Sequence, residues 1–178
     1  MLIVFIRGFA GAGKDTLGAC FTDHFGFKRF AFADALKEMV ADKYGVEVSV
    51  LHSQEGKKQV CAENGKTWRE ILISEAAAER EKDPGIFAKM TAVAIAASEA
   101  RRVVLTDWRY PNEYSIIRET FPNAVITTVH VHRQDQGGVS PVIDVSEYYL
   151  KDHRPDWVVH NDGKRSLLKE AGDILRAI

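Results

Sequence analysis

The chain has 178 residues, 46% of them hydrophobic and 28% charged, the balance of one globular domain large enough to bury a substantial core. Lys and Arg number 24 against 25 acidic residues, for a net charge of −1, so no broad basic field exists to hold long nucleic acid. Two cysteines without metal-ligand spacing exclude a disulfide framework, and the first apolar run is far too short to cross a bilayer.

That first run, Leu2-Ile3-Val4-Phe5-Ile6, reads as a buried strand over 2–6, and it empties directly into Gly8-Phe9-Ala10-Gly11-Ala12-Gly13-Lys14-Asp15-Thr16. A strand, a glycine-rich turn, a lysine and a helix in that order form a phosphate-binding loop of nucleoside triphosphate enzymes. Glycines let backbone N–H groups wrap the phosphates, Lys14 brings a mobile charge to the β- and γ-phosphates, and the helix N-terminus adds unpaired donors. The hydroxyl that normally follows the lysine is displaced by one place: Asp15 comes first and Thr16 second. The first helix places Leu17, Cys20, Phe21 and Phe25 on one stripe, which puts Cys20 on its core face. A short strand over 29–32 leads into a second helix over 32–44, with Leu36, Met39 and Val40 inward.

Residues 46–66 then turn polar and mixed, with Cys61 expected as a free thiol. Thr67-Trp68-Arg69-Glu70 has capping-box spacing and opens a third helix that buries Trp68, Ile71, Leu72 and Ala76. Asp83-Pro84-Gly85 breaks the chain, and Ile86, Phe87, Met90, Val93, Ala94 and Ala97 recur at helical spacing beyond it. Strands follow over 103–106, 124–131 and 157–160, and Leu167, Leu168, Ala171, Ile174, Leu175 and Ile178 mark a closing helix. Short apolar strands alternating with helices predict an α/β fold, a parallel sheet covered on both faces, in a single domain over 1–178. Residues 46–66 and 134–155 are expected as inserts over the ligand-binding edge, the second as a lid around Gly137-Gly138.

The remaining polar residues at predicted strand ends each admit two roles. Asp107, closing an apolar strand, stands where such enzymes place a carboxylate for Mg²⁺; it also reads as the cap of the turn Trp108-Arg109-Tyr110-Pro111. Arg109 has the fork geometry to hold two phosphate oxygens, and Glu113 either faces substrate or complements the dipole of the helix it begins. Asp34 is an N-cap candidate for the second helix and, alternatively, an acceptor-facing group across from Lys14, with Lys37 one turn on. Arg69 and Arg80, eleven residues apart on one helix, share nearly one face; they point into a cleft or pair with Glu70, Glu75, Glu79 or Glu81. His130 and His132 lack a third ligand for a metal site. Arg133, at the root of the second insert, suits the stabilisation of a moving γ-phosphoryl group. Asn161-Asp162-Gly163 is a turn signature that also offers polar groups to an adenine edge.

Taken in order, GFAGAGKDT at 8–16, FADALK at 32–37, TWRE at 67–70, Arg80 followed by Asp-Pro-Gly-Ile-Phe, TDWRYPNE at 106–113, Arg133 and VVHNDG at 158–163 resemble the deoxynucleoside monophosphate kinases of bacteriophages. These belong to the P-loop nucleotide kinases, some of which also carry the pattern G-x-x-G-x-G-K-x-T. The resemblance implies a three-layer P-loop kinase fold with a five-stranded parallel sheet and a lid. It implies transfer of the γ-phosphoryl of ATP, with Mg²⁺, to a deoxynucleoside 5′-monophosphate, by a cytoplasmic monomer or homodimer without membrane contact. Gly8, Ala10, Gly11, Ala12, Gly13, Lys14, Asp15, Thr16, Arg133 and Asn161 would then hold ATP, with Thr16 and Asp107 organising the metal. Asp34, Lys37, Arg69, Arg80, Trp108, Arg109 and Glu113 would face the acceptor. Three rivals share the loop: a kinase acting on a modified base in phage DNA, a kinase of a small metabolite such as dephospho-coenzyme A or phosphomevalonate, and a nucleotide-binding switch that transfers nothing.

Overall fold

A computed structural model describes residues 1–133 and 149–178; the greater part of the expected lid, 134–148, lies outside the described residues. Five strands form one sheet: β1 (Leu2–Arg7), β2 (Lys28–Phe30), β3 (Arg102–Leu105), β4 (Val125–His132) and β5 (Trp157–His160). The order is β2-β3-β1-β4-β5 and every pairing is parallel. The chain builds β2 and β3 on one side of β1 and then crosses to lay down β4 and β5 on the other. Strand order therefore reverses at β1, and a crevice opens at the carboxyl ends of β1, β3 and β4, where open α/β sheets bind ligands.

Because side chains alternate across a strand, β1 feeds two cores. Val4 and Ile6 pack with Val104, Val129, Val131 and Val159 under α1 (Lys14–Phe25) and α7 (Leu167–Arg176). Ile3 and Phe5 pack with Val103 and Leu105 under α2 (Phe32–Tyr44), α5 (Ile86–Ala97) and α6 (Pro111–Thr120). The result is the expected three-layer α/β domain. Helices α3 (Val48–His52) and α4 (Trp68–Lys82) extend the second core beyond the sheet edge. No described helix is long and apolar enough to cross a membrane.

Three local expectations change. The 46–66 insert contains α3 and a 3₁₀ turn over Gly56–Lys58, and it closes on an isolated antiparallel bridge between Val60 and Thr67. Leu51 and Cys61 are buried there, so Cys61 is a packed thiol, whereas Cys20 is only half-buried. Both anchors are hidden because the apolar residues of 46–66 follow no helical period across the insert. In α5 the inward face is Phe87, Ala88, Thr91, Ala92 and Ile95, while Val93 is 70% exposed. That helix is apolar on nearly every side, so more than one stripe satisfies helical spacing, and the packing of α2 and α6 selects the face with the aromatic ring. The stripe of the closing helix also narrows. Ala171 and Ile174 are buried, whereas Leu168 and Ile178 are exposed.

Candidate functional site

The expected phosphate loop runs from Gly8 to Gly13, between the end of β1 and the first residue of α1, Lys14. Two of its glycines are compelled. Gly8 has φ +149° and a Cβ there would lie 2.4 Å from the Val131 carbonyl oxygen; Gly13 has φ +102° and a Cβ would lie 2.4 Å from Asn161 Nδ2. The Asn161 amide donates to the Ala12 carbonyl at 2.9 Å, so the end of β5 braces the loop. Lys14 Nζ folds back to donate to the Phe9 carbonyl at 2.9 Å. Asp15 and Thr16 are exposed in the first turn of α1. Arg133 stands beside the loop, with Nη1 3.5 Å from the Gly11 carbonyl, a long contact.

Asp107 takes the role expected of Asp34 at the start of α2. Asp107 Oδ1 accepts from the Phe32 N–H at 2.8 Å and Oδ2 from the Ala33 N–H at 2.9 Å. The carboxylate thus satisfies two of the unpaired donors at the start of α2, rather than capping the turn that follows β3. Burial raises its pKa, while the two N–H donors and Arg109 act the other way. The N-cap position of α2 is Ala31, not Asp34. Asp34 instead bonds Lys37 Nζ at 2.8 Å and Arg29 Nη1 at 2.9 Å. Burial pushes its carboxyl upward, but these two cations outweigh it and leave the group below the usual carboxylate range.

Glu113 lies in the first turn of α6, as its helix-start reading expects, and forms the capping box with Tyr110. Its side chain is buried, and Oε2 accepts from the N–H groups of Arg109 at 2.9 Å and Tyr110 at 3.0 Å. Desolvation, with the nearby Asp107 charge, pushes its pKa up to about 8, so it is protonated at neutral pH. The residue shapes the turn that presents Arg109. Arg80 stacks on Tyr110 and Phe87, with its guanidinium carbon 4.5 Å and 4.8 Å from the ring centres. Arg69 donates to Gln54 Oε1 at 2.9 Å. Three of the four candidate glutamate partners are engaged elsewhere: Glu70 in the capping box, Glu75 with Lys43 and Tyr44, and Glu79 with Lys82.

Two neighbourhoods flank the loop. One is a basic cluster from β2, α2, α3, the 3₁₀ turn and α4. Lys37 Nζ lies 3.3 Å from His52 Nδ1, and Lys57 is held below its usual pKa by burial and by the charges of Lys37 and Arg69, while Asp15 and Asp34 oppose this. Arg29, His52 and Lys57 are the members that sequence reasoning passes over. The Lys57-Lys58 pair is visible, but nothing in the sequence shows that it folds back toward Arg69.

The other is a cleft of about 440 Å³ at the crevice over β1, β3 and β4, within the size range of small-molecule sites. Gly8, Phe9 and Lys14 form one wall, Trp108 and Arg109 another, and Leu150, Lys151, His153 and Pro155 a third, with Arg7 and His130 between them. Trp108 is almost wholly buried and meets His153 edge-on at 4.7 Å. His130 is pushed down to about 4 by burial and by Arg7, so it enters the cleft uncharged. Arg7, Lys14, Arg109 and Lys151 bring positive charge to the cleft, and none of its described lining residues is Asp or Glu. A cleft that is aromatic, positively charged and continuous with a phosphate loop is built for an anion carrying a flat or apolar body.

No protein-family model matches the chain, and no curated protein matches it either. Solved structures do. TT1252 from Thermus thermophilus superposes with a TM-score of 0.57 at 18% identity, covering 99% of this chain and 96% of that one. A putative kinase from Chloroflexus aurantiacus gives 0.54 at 12% identity over 99% and 94%. A variant of the APS kinase CysC of Mycobacterium tuberculosis gives 0.50 at 11% identity over 98% and 94%. At these identities the likeness is one of fold alone.

Proposed function

We propose that the protein is an ATP-dependent kinase that transfers the γ-phosphoryl group to a deoxynucleoside 5′-monophosphate. The observation that carries the reading is the juxtaposition of a braced phosphate loop with a cleft holding Lys14, Arg109 and Lys151 and walled by aromatic rings. An acceptor phosphate oxygen attacks the γ-phosphorus, the bond to the β–γ bridging oxygen breaks, and ADP and the deoxynucleoside diphosphate leave. Such a transfer needs little covalent chemistry from the protein, and alignment with positive charge supplies most of the catalysis.

On this reading the loop N–H groups and Lys14 hold the ATP phosphates, and Arg133 neutralises charge at the γ-phosphoryl. Arg109 receives the acceptor phosphate, and the cluster of Asp34, Lys37 and Arg69 closes the acceptor side. The residues present suit Mg²⁺ carried in on the nucleotide. The exposed Thr16 hydroxyl beside the loop is a ready oxygen ligand, and Mg²⁺ keeps water and phosphate oxygens for most of its shell. Asp107, bonded to α2 through both oxygens, would act on the ion through water. When bound, the ion adds positive charge at the transferring phosphoryl.

The test is a panel. Labelled ATP with Mg²⁺ is offered to the four deoxynucleoside monophosphates, to small-metabolite acceptors, to DNA containing hydroxymethylated bases, and to no acceptor. Label appearing in a deoxynucleoside diphosphate supports the reading. Label confined to a metabolite or to DNA, or ATP binding with no transfer to any acceptor, overturns it.

A further inference from the structure

Residues 149–156 return from the second insert to β5, and the structure fastens them at several independent points. Leu150 is buried, and Tyr149 stacks on Tyr110 with ring centres 5.2 Å apart. His153 lies edge-on to Trp108 at 4.7 Å. Asp156 Oδ2 accepts from both the backbone N–H and the hydroxyl of Thr128, at 2.8 Å and 2.7 Å. The strongest tie comes from Arg7, the last residue of β1 before Gly8. Its guanidinium is buried and donates to the carbonyls of Leu150 and His153, the latter at 2.8 Å. A forked donor that grips two carbonyls fixes orientation as well as distance.

Lys151 lies between those two carbonyls and lines the same cleft as Lys14 and Arg109. Its neighbours in the segment are held, and no Asp or Glu among the cleft's described lining residues balances it. We propose that Lys151 is a further phosphate-contacting residue of the transfer site, and that Arg7 is the positioning residue that sets the Tyr149–Asp156 wall, and Lys151 with it, against the phosphate loop. What Lys151 touches rests on the phosphoryl-transfer reading. What holds it in place does not.

The tests separate the two parts. Hydrogen exchange on the nucleotide-free protein reads the Arg7 tie directly, because the His153 amide donates to Leu150 within the wall. Arg7→Met should speed exchange over 150–155 by about tenfold or more with the central sheet unchanged. Arg7→Lys, which keeps the charge and loses the fork, should fall between that variant and wild type and serves if Arg7→Met does not fold. Equal exchange in wild type and Arg7→Lys overturns the positioning role. For Lys151, acetylation is followed with and without inorganic tripolyphosphate. Protection of Lys151 alongside Lys14, but not of the exposed Lys169, supports phosphate contact; unchanged reactivity overturns it. In turnover, Lys151→Met should lower kcat about tenfold or more with ATP affinity within twofold, and Lys151→Arg should restore most of it. An unchanged kcat overturns the role. If the wild type phosphorylates no acceptor, the functional reading falls while exchange and acetylation still decide this one.

Discussion

At the scale of single residues, the site is organised by side chains whose job is to hold backbone rather than substrate. Glu113, Asn161 and Arg7 each bond main-chain groups that in turn place Arg109, the phosphate loop and Lys151. Glu113 gives the most direct pH signature. Its folded pKa of about 8 stands above the ordinary 4.5, so the folded state keeps a proton that the unfolded state releases. Stability from this group is complete below about pH 4.5 and declines as pH rises toward 8. A tenfold difference in proton affinity between the two states corresponds to about 1.4 kcal/mol. Glu113→Gln keeps an acceptor for the Arg109 and Tyr110 N–H groups and cannot ionise. Urea unfolding from pH 5 to 8.5 should therefore show a falling stability in wild type and a flatter profile in the variant. Parallel profiles would contradict a buried, protonated Glu113. The sequence places Glu113 at the start of a helix and goes no further, because burial of that carboxyl depends on how α6 docks over β3.

Between elements, the tie that matters most joins β3 to α2 through Asp107. A loop carboxylate that receives two helix N–H groups fixes the direction of α2, and with it Asp34, Lys37 and the basic cluster. Asp107→Ala leaves a buried pair of N–H donors at Phe32 and Ala33 without that acceptor, a cost of about 1–3 kcal/mol. The nucleotide-free variant should lose that much unfolding free energy and show a lower denaturation midpoint. A variant as stable as wild type without nucleotide would mean that Asp107 serves the metal alone. Elements with strong periods were legible in the sequence: β1, the phosphate loop, α1, α2 and the capping box of α4 stand close to where their patterns put them. Those that depend on a neighbour were not. The cap of α2 comes from 75 residues away, α5 offers several apolar faces, and the insert before α4 is anchored by Leu51 and Cys61, with Val46 and Val50 packed against the same core. The last turn of the expected lid, 149–155, proves to be a docked wall with a buried Leu150, where mixed charge and missing periodicity suggest a loose segment.

In the molecule as a whole, the reversal of strand order at β1 brings residues from distant parts of the chain to one edge. Lys14 follows β1, Arg109 follows β3, Arg133 follows β4, and Asn161 follows β5. The motif spacing exposes each of these positions, but only the sheet order places Lys151 and Arg7 among them. The arrangement concentrates positive charge in one cleft of a chain whose net charge is −1, which suits the proposed phosphorylated substrates. Lys14 lies at the centre of that claim, since it is a loop-side charge rather than a core residue. The decisive measurement is the rate of γ-phosphoryl transfer from ATP to the preferred deoxynucleoside monophosphate, compared between wild type and Lys14→Ala with unfolding followed in parallel. The wild type should transfer, and the variant should lose about a hundredfold or more in rate, equivalent to about 2.7 kcal/mol or more of transition-state stabilisation, with an unchanged denaturation midpoint. Retention of more than about a tenth of the wild-type rate, a cost of only about 1.4 kcal/mol, would contradict that claim.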